Sequence, residues 1–112
     1  MPLLELTVER AGDVVRLVLE GELDISSGAR VEREIALLED QAPKVLVLDL
    51  RGLAFMDSTG LRIVVSANAR AEQAGRRLVI VRGPEAVQRI FRITRLEERL
   101  EMVADPGRLE TA

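Results

Sequence analysis

The sequence predicts an α/β domain: a mixed sheet of four to five strands, opened by an antiparallel hairpin and continued by strands that alternate with helices. Three observations carry this reading. Apolar and polar residues alternate near the N-terminus, two later runs at 45–48 and 78–81 are continuously apolar, and segments with helical spacing lie between and after them. Alternation marks a strand with one wet face, and an unbroken apolar run marks a strand covered on both. Strands separated by helices call for right-handed crossovers and parallel pairing.

Taken in order, residues 4–9 set Leu4, Leu6 and Val8 against Glu5, Thr7 and Glu9. Residues 14–20 do the same with Val15, Leu17 and Leu19, and the short link through Gly12 makes the pair a hairpin. The chain is then expected to turn at Gly21-Glu22-Leu23-Asp24. Residues 26–41 carry Val31, Ile35 and Leu38 at spacings of four and three, an amphipathic helix started by Ser26 or Ser27. Pro43 closes the connection, residues 45–48 form a central strand, and Asp49 is placed at its C-terminal end. A second helix is expected over 59–74, with Leu61, Val64, Ala67 and Ala71 inward and Gly75 as a left-handed cap. Residues 78–81 form another buried strand, and Gly83-Pro84 opens a third helix that turns Val87, Ile90 and Phe91 inward. A weak last strand is expected at 100–103. Residues 1–112 thus read as a single domain, with its core at 3–103 and a tail over 104–112.

Composition excludes much chemistry. The chain has 112 residues, enough for one domain that buries about 65% of its extended surface. Its 47% hydrophobic and 31% charged content fits a globular domain and argues against disorder. Histidine, cysteine, tryptophan and tyrosine are all absent, so no Ser/His/Asp triad, cysteine nucleophile, zinc site or disulfide can be built. A net charge of −3 and only two aromatic residues, Phe55 and Phe91, offer nucleic acid neither attraction nor stacking. The N-terminus lacks a basic segment followed by a long apolar one, and the expectation is a cytoplasmic, unprocessed protein that inserts in no membrane. No glycine-rich phosphate loop supports a nucleotide site, and no cofactor or metal is expected.

The informative segment is Phe55-Met56-Asp57-Ser58-Thr59-Gly60-Leu61, where a strand exit becomes a helix, the usual place for ligands and partners on an open parallel sheet. Two readings stand side by side. Ser58 caps the helix with its hydroxyl, or Asp57 does and Ser58 is free to point outward. With no histidine and with Lys44 the only lysine, nothing activates Ser58 as a nucleophile. As a phosphoryl acceptor it needs only exposure, because a kinase brings the base and the metal. Asp24 and Asp49 also read as a turn acid and a strand-end acid. A carboxylate metal site from Asp24, Asp49 and Asp57 lacks any calcium-loop spacing.

Three markers in order give a resemblance: Gly21-Glu22-Leu23-Asp24 after the second strand, Val47-Leu48-Asp49-Leu50 on the central strand, and the segment from Phe55 to Leu61. Together they resemble the STAS domain family, most closely the free-standing bacterial anti-sigma-factor antagonists. The likeness runs from Leu4 to about Val103 and includes the late segment from Val87 to Leu96, although Arg95 stands where a glycine is common. The resemblance implies helices packed mainly on one face of the sheet. It also implies partner switching by a protein that is not an enzyme. The unphosphorylated form binds an anti-sigma serine kinase and frees the sigma factor, phosphorylation at Ser58 releases the complex, and a serine phosphatase resets it. It assigns Ser58 as phosphoacceptor, with Asp24, Asp57, Thr59, Gly60 and Arg62 at the partner surface, Asp24 orienting the serine or touching the kinase. Related STAS domains also serve as cytoplasmic subunits of lipid-transport ABC complexes, the alternative role. A monomer or a weak dimer through the hairpin edge is expected, since Glu5, Glu9 and Glu20 only partly blunt that edge.

Overall fold

The opening hairpin forms as its alternation requires, with β1 (Leu4–Ala11) antiparallel to β2 (Val14–Leu23) and Leu6 opposite Leu19. In the computed structural model, which describes residues 3–108, the chain continues through α1 (Gly28–Asp40), β3 (Val45–Met56), α2 (Ser58–Ala74), β4 (Arg77–Val81), α3 (Glu85–Ile93) and β5 (Met102–Val103). The five strands lie in the order β1-β2-β3-β4-β5, and every pairing after the hairpin is parallel. This is the mixed α/β sheet the sequence predicts, and the weak last strand shortens to two residues.

All three helices feed one core. Val31, Ile35 and Leu38 of α1, Ile63, Val64, Ala67 and Ala71 of α2, and Val87 and Phe91 of α3 pack with Leu17, Leu46, Leu48 and Ile80 of the sheet. The opposite face carries its own cluster of Val14, Val47, Val79 and Val81, to which no helix contributes among the described residues. On α2 the inward face is rotated slightly from the expected one. Ile63 is buried while Leu61 is only half-buried, because the sheet sits closer to the Gly60 side of the helix. Arg30 reaches across to donate to the Leu4 carbonyl at 2.6 Å, and Glu39 of α1 accepts from Arg70 of α2 at 3.0 Å, so the two helices are pinned to the sheet edge and to each other.

Two strands run further than periodicity suggests. The segment expected as a turn after residue 20 stays in β2 through Leu23, and β3 continues past Asp49 to Met56. Each extension supplies the other's hydrogen-bonding partner: Glu20 pairs with Gly52, Gly21 with Leu53 and Leu23 with Met56, with register shifts that keep the ladder in step. Gly21 is held at φ 112, and an added Cβ there would fall 2.1 Å from the Leu3 carbonyl oxygen, so only glycine fits. Asp49 is therefore a mid-strand residue, correcting its expected place at a strand end. It is 2% exposed and accepts from the Arg51 guanidinium at 3.0 and 2.7 Å, with Arg16 of β2 at 3.9 Å. Burial alone would push its carboxyl up. The Arg51 hydrogen bonds and the nearby positive charges outweigh that and hold it below the usual carboxylate range.

Gly75 caps α2 at φ 67, as expected. The first helix starts at Gly28 behind Ser27, which makes no side-chain cap bond. Of the stretch expected as a tail, Pro106 is buried in a short 3-10 turn, and residues 109–112 lie outside the described residues.

Candidate functional site at the carboxyl end of the sheet

Because β2 and β3 run side by side to their ends, they leave the sheet together. Glu22 is in register with Phe55, Leu23 with Met56, and the Asp57 N–H donates to the Leu23 carbonyl at 3.2 Å. Asp24 and Ser58 are each one residue beyond that bonded pair, so topology brings the two motifs to one spot.

Asp57 settles the capping question. Its backbone is extended (φ −102, ψ −167) and its carboxylate accepts the Thr59 N–H at 2.8 Å, the geometry of an N-cap. Ser58 is thereby relieved of that task. It is exposed as the first residue of α2, and its hydroxyl makes no hydrogen bond among the described residues. Arg62, one turn further along, is exposed on the same side, 3.9 Å from Glu32 of α1.

Asp24 is occupied by its own turn. Its carboxylate accepts from the Ser26 hydroxyl at 2.6 Å and the Ser26 N–H at 2.9 Å, while its carbonyl accepts from Ser27 at 3.2 Å and Gly28 at 2.9 Å. The Ser26 hydroxyl bond leads in holding the carboxyl below its ordinary range, against a smaller opposing push from burial. It makes no hydrogen bond to Ser58 among the described residues, so the serine is not oriented by a direct bond from this acid.

Thr59 is half-buried, its methyl turned toward Gly28 of α1, and Gly60 is buried. An added Cβ on Gly60 would stand 2.4 Å from Met56 Cγ and 3.0 Å from Leu23 Cδ2. Gly60, expected at the partner surface, is buried, and its missing side chain lets α2 descend onto the strand ends. Asp24, Asp49 and Asp57 each serve a separate local bond set, and among the described residues no group of three acidic side chains is placed to hold a metal ion. No helix among the described residues is long and apolar enough to cross a membrane.

Two neighbours have no role read from the sequence: Phe55 stands only as the start of the informative segment, and Ile25 belongs to none of the motifs. Ile25 is 84% exposed in the Asp24 turn and Phe55 is 47% exposed at the end of β3, an unusual amount of bare apolar surface beside one serine. Alternation continued from Leu53 would turn Phe55 inward with it, and its exposure arises because the burial pattern breaks there, with Leu53 and Met56, three apart, both buried. Ile25 carries no periodic signal, since it sits in a turn.

A domain of this topology with an unengaged serine at the strand exit can be compared with known proteins. Residues 6–104 match the family model described as "Mlab, STAS domain", and the chain belongs to the STAS domain family. It is 30% identical over 94 residues to the anti-sigma-B factor antagonist of Listeria monocytogenes, covering 84% of this chain and 82% of that one. It is likewise 30% identical over 80 residues to the anti-sigma-F factor antagonist RsfB of Mycobacterium tuberculosis, covering 71% and 66%. Among solved structures, an anti-sigma factor antagonist from Mycobacterium paratuberculosis superposes with a TM-score of 0.87 at 23% identity, over 96% of this chain and 92% of that one. Unphosphorylated SpoIIAA, also an anti-sigma factor antagonist, gives 0.80 at 20% identity over 96% and 95%. At these identities the structures speak for the fold.

Proposed function

We propose that the chain is an anti-sigma-factor antagonist that works by partner switching, with Ser58 as the phosphoacceptor. The observation that carries this reading is the division of labour at the start of α2: Asp57 caps the helix, which leaves Ser58 exposed, with its hydroxyl unbonded among the described residues. The relatives named as antagonists of anti-sigma-B and anti-sigma-F factors support the same role. In this scheme the unphosphorylated form binds an anti-sigma factor that is also a serine kinase, in the cytoplasm, through Asp24, Asp57, Ser58, Thr59 and Arg62. The Ser58 oxygen attacks the γ-phosphorus of ATP, the bond to ADP breaks, and a base of the kinase takes the hydroxyl proton. A phosphatase returns the serine to its free form. The chain is then substrate and ligand rather than catalyst.

The chemistry of release follows from charge. A phosphate on Ser58 gains from the positive end of α2, so the fold tolerates it. It also adds about 1.5 to 2 negative charges beside Asp57 and Asp24. Two unit charges about 4 Å apart interact by roughly 4 kcal/mol at an effective dielectric of 20, and an unpaired phosphate buried in an interface costs several kcal/mol, about a hundredfold or more in affinity.

The test is capture from native lysate with Ser58→Ala and Ser58→Asp baits. Recovery of an ATP-binding kinase by the alanine form, with at least about a hundredfold weaker binding by the aspartate form, is expected. Equal binding by both sinks the switch. A second reading is the STAS subunit of a lipid-transport ABC complex, since the matching family model is described by its STAS domain and names no anti-sigma role. Equal recovery of membrane-transport subunits by both baits would support it.

A further inference from the structure

Gly28 opens α1, is buried, and lies in the ordinary helical range, so its backbone does not call for glycine. Helix propensity favours alanine at such a position. Space forbids it. A Cβ on Gly28 would stand 2.7 Å from Thr59 Cγ2 and 3.4 Å from Ile63 Cδ1. The Ile63 methyl is the end of a flexible chain. Thr59 is β-branched, and its own N–H is fixed by the Asp57 carboxylate at 2.8 Å. On the other side, the Gly28 N–H donates at 2.9 Å to the carbonyl of Asp24. The Asp24 turn is thus bonded to Gly28, Gly28 touches Thr59, Thr59 is bonded to Asp57, and the bond from Asp57 to Leu23 closes the ring.

We propose that Gly28 is a positioning residue for Ser58: its missing side chain lets the first turn of α1 seat against Thr59, so that the Asp24 turn and the start of α2 are set as one unit that presents the serine. This rests on the reading of Ser58 as phosphoacceptor. It also explains how Asp24 is kept beside Ser58 although its carboxylate bonds only within its own turn.

Gly28→Ala, Thr59→Ser and the double variant form a cycle, because Thr59→Ser deletes the methyl that the new Cβ meets and keeps the hydroxyl. In the native background Gly28→Ala is expected to lower the melting temperature by a few degrees, against its helix propensity. With the kinase recovered on the Ser58→Ala bait and Mg-ATP, it is expected to lower kcat for phosphorylation about tenfold and to leave KM within about twofold. In the Thr59→Ser background the same substitution is expected to raise the melting temperature and to leave kcat within about twofold. A Gly28→Ala protein that melts at or above the native one, or is phosphorylated at the native rate, overturns the proposal. If no form takes phosphate, wild type included, the phosphoacceptor reading fails by itself. Amide exchange at Ser58, Thr59 and Gly60 then decides the coupling: faster exchange in Gly28→Ala that Thr59→Ser reverses upholds it, and unchanged exchange overturns it.

Discussion

Arg95 shows how a single residue carries strain for a turn. It sits at φ 62, in the left-handed region, between α3 and the 3-10 turn at Leu96–Glu98, and its N–H donates to the Arg92 carbonyl at 3.1 Å. Left-handed backbone costs a side-chain-bearing residue roughly 1–2 kcal/mol, while glycine costs about 0.4–1 kcal/mol through the freedom it adds to the unfolded chain. Arg95→Gly is therefore expected to stabilise the protein by about 0.5–1 kcal/mol, read as a higher denaturant midpoint with unchanged slope. A lower midpoint would mean that the exposed arginine side chain holds the turn by contacts of its own.

At the scale of the element, α2 joins fold to function through its cap. Removing the acceptor for the Thr59 N–H should cost about 1 kcal/mol, so Asp57→Ala is expected to lower the melting temperature by several degrees. The same substitution invites the Ser58 hydroxyl into the vacant cap, and slower phosphorylation of Asp57→Ala than its lost stability explains is the accompanying expectation. Unchanged melting would show that the cap bond contributes nothing to α2.

Strand β3 carries the other charged feature. Asp49 is buried mid-strand against Arg51, with its carboxyl below the ordinary range. A carboxyl depressed in the folded state stabilises that state above its unfolded pKa of about 3.9, and the contribution fades as pH falls through the lower folded value. Asp49→Asn is expected to cost about 1–3 kcal/mol at pH 7, and the gap to the native protein should narrow below about pH 4. Urea unfolding at pH 7 and pH 3 reads both. A gap independent of pH would assign the cost to packing rather than charge.

Over the whole molecule, helices on one face and valines on the other leave the carboxyl ends of β2 and β3 as the place where separate motifs meet. Ser58, Asp57, Asp24, Arg62, Ile25 and Phe55 all cluster around those ends. The hairpin, the two continuous apolar strands, the three amphipathic helices and the Gly75 stop were legible in the sequence, because each depends on local periodicity or on one residue's backbone freedom. The serine, too, was legible, as part of a short motif at a strand exit.

Other features depend on partners distant in the chain. The length of β2 and β3 past residues 20 and 48 follows from each offering the other a ladder, which no period within either strand announces. Which of Asp57 and Ser58 caps α2 follows from how the strand end delivers Asp57 in an extended conformation, held by its bond to Leu23. Gly60 was readable as a motif residue, but its burial under Met56 is a property of packing. The sequence by itself determined the order and kind of the elements and the candidate serine, since local periodicity and motif order specify them. Only the tertiary structure decided that the serine is exposed and uncapped among the described residues, that Asp24 is bound to its own turn and that Asp49 is buried in an ion pair, because hydrogen bonds and close contacts between separated segments set those states.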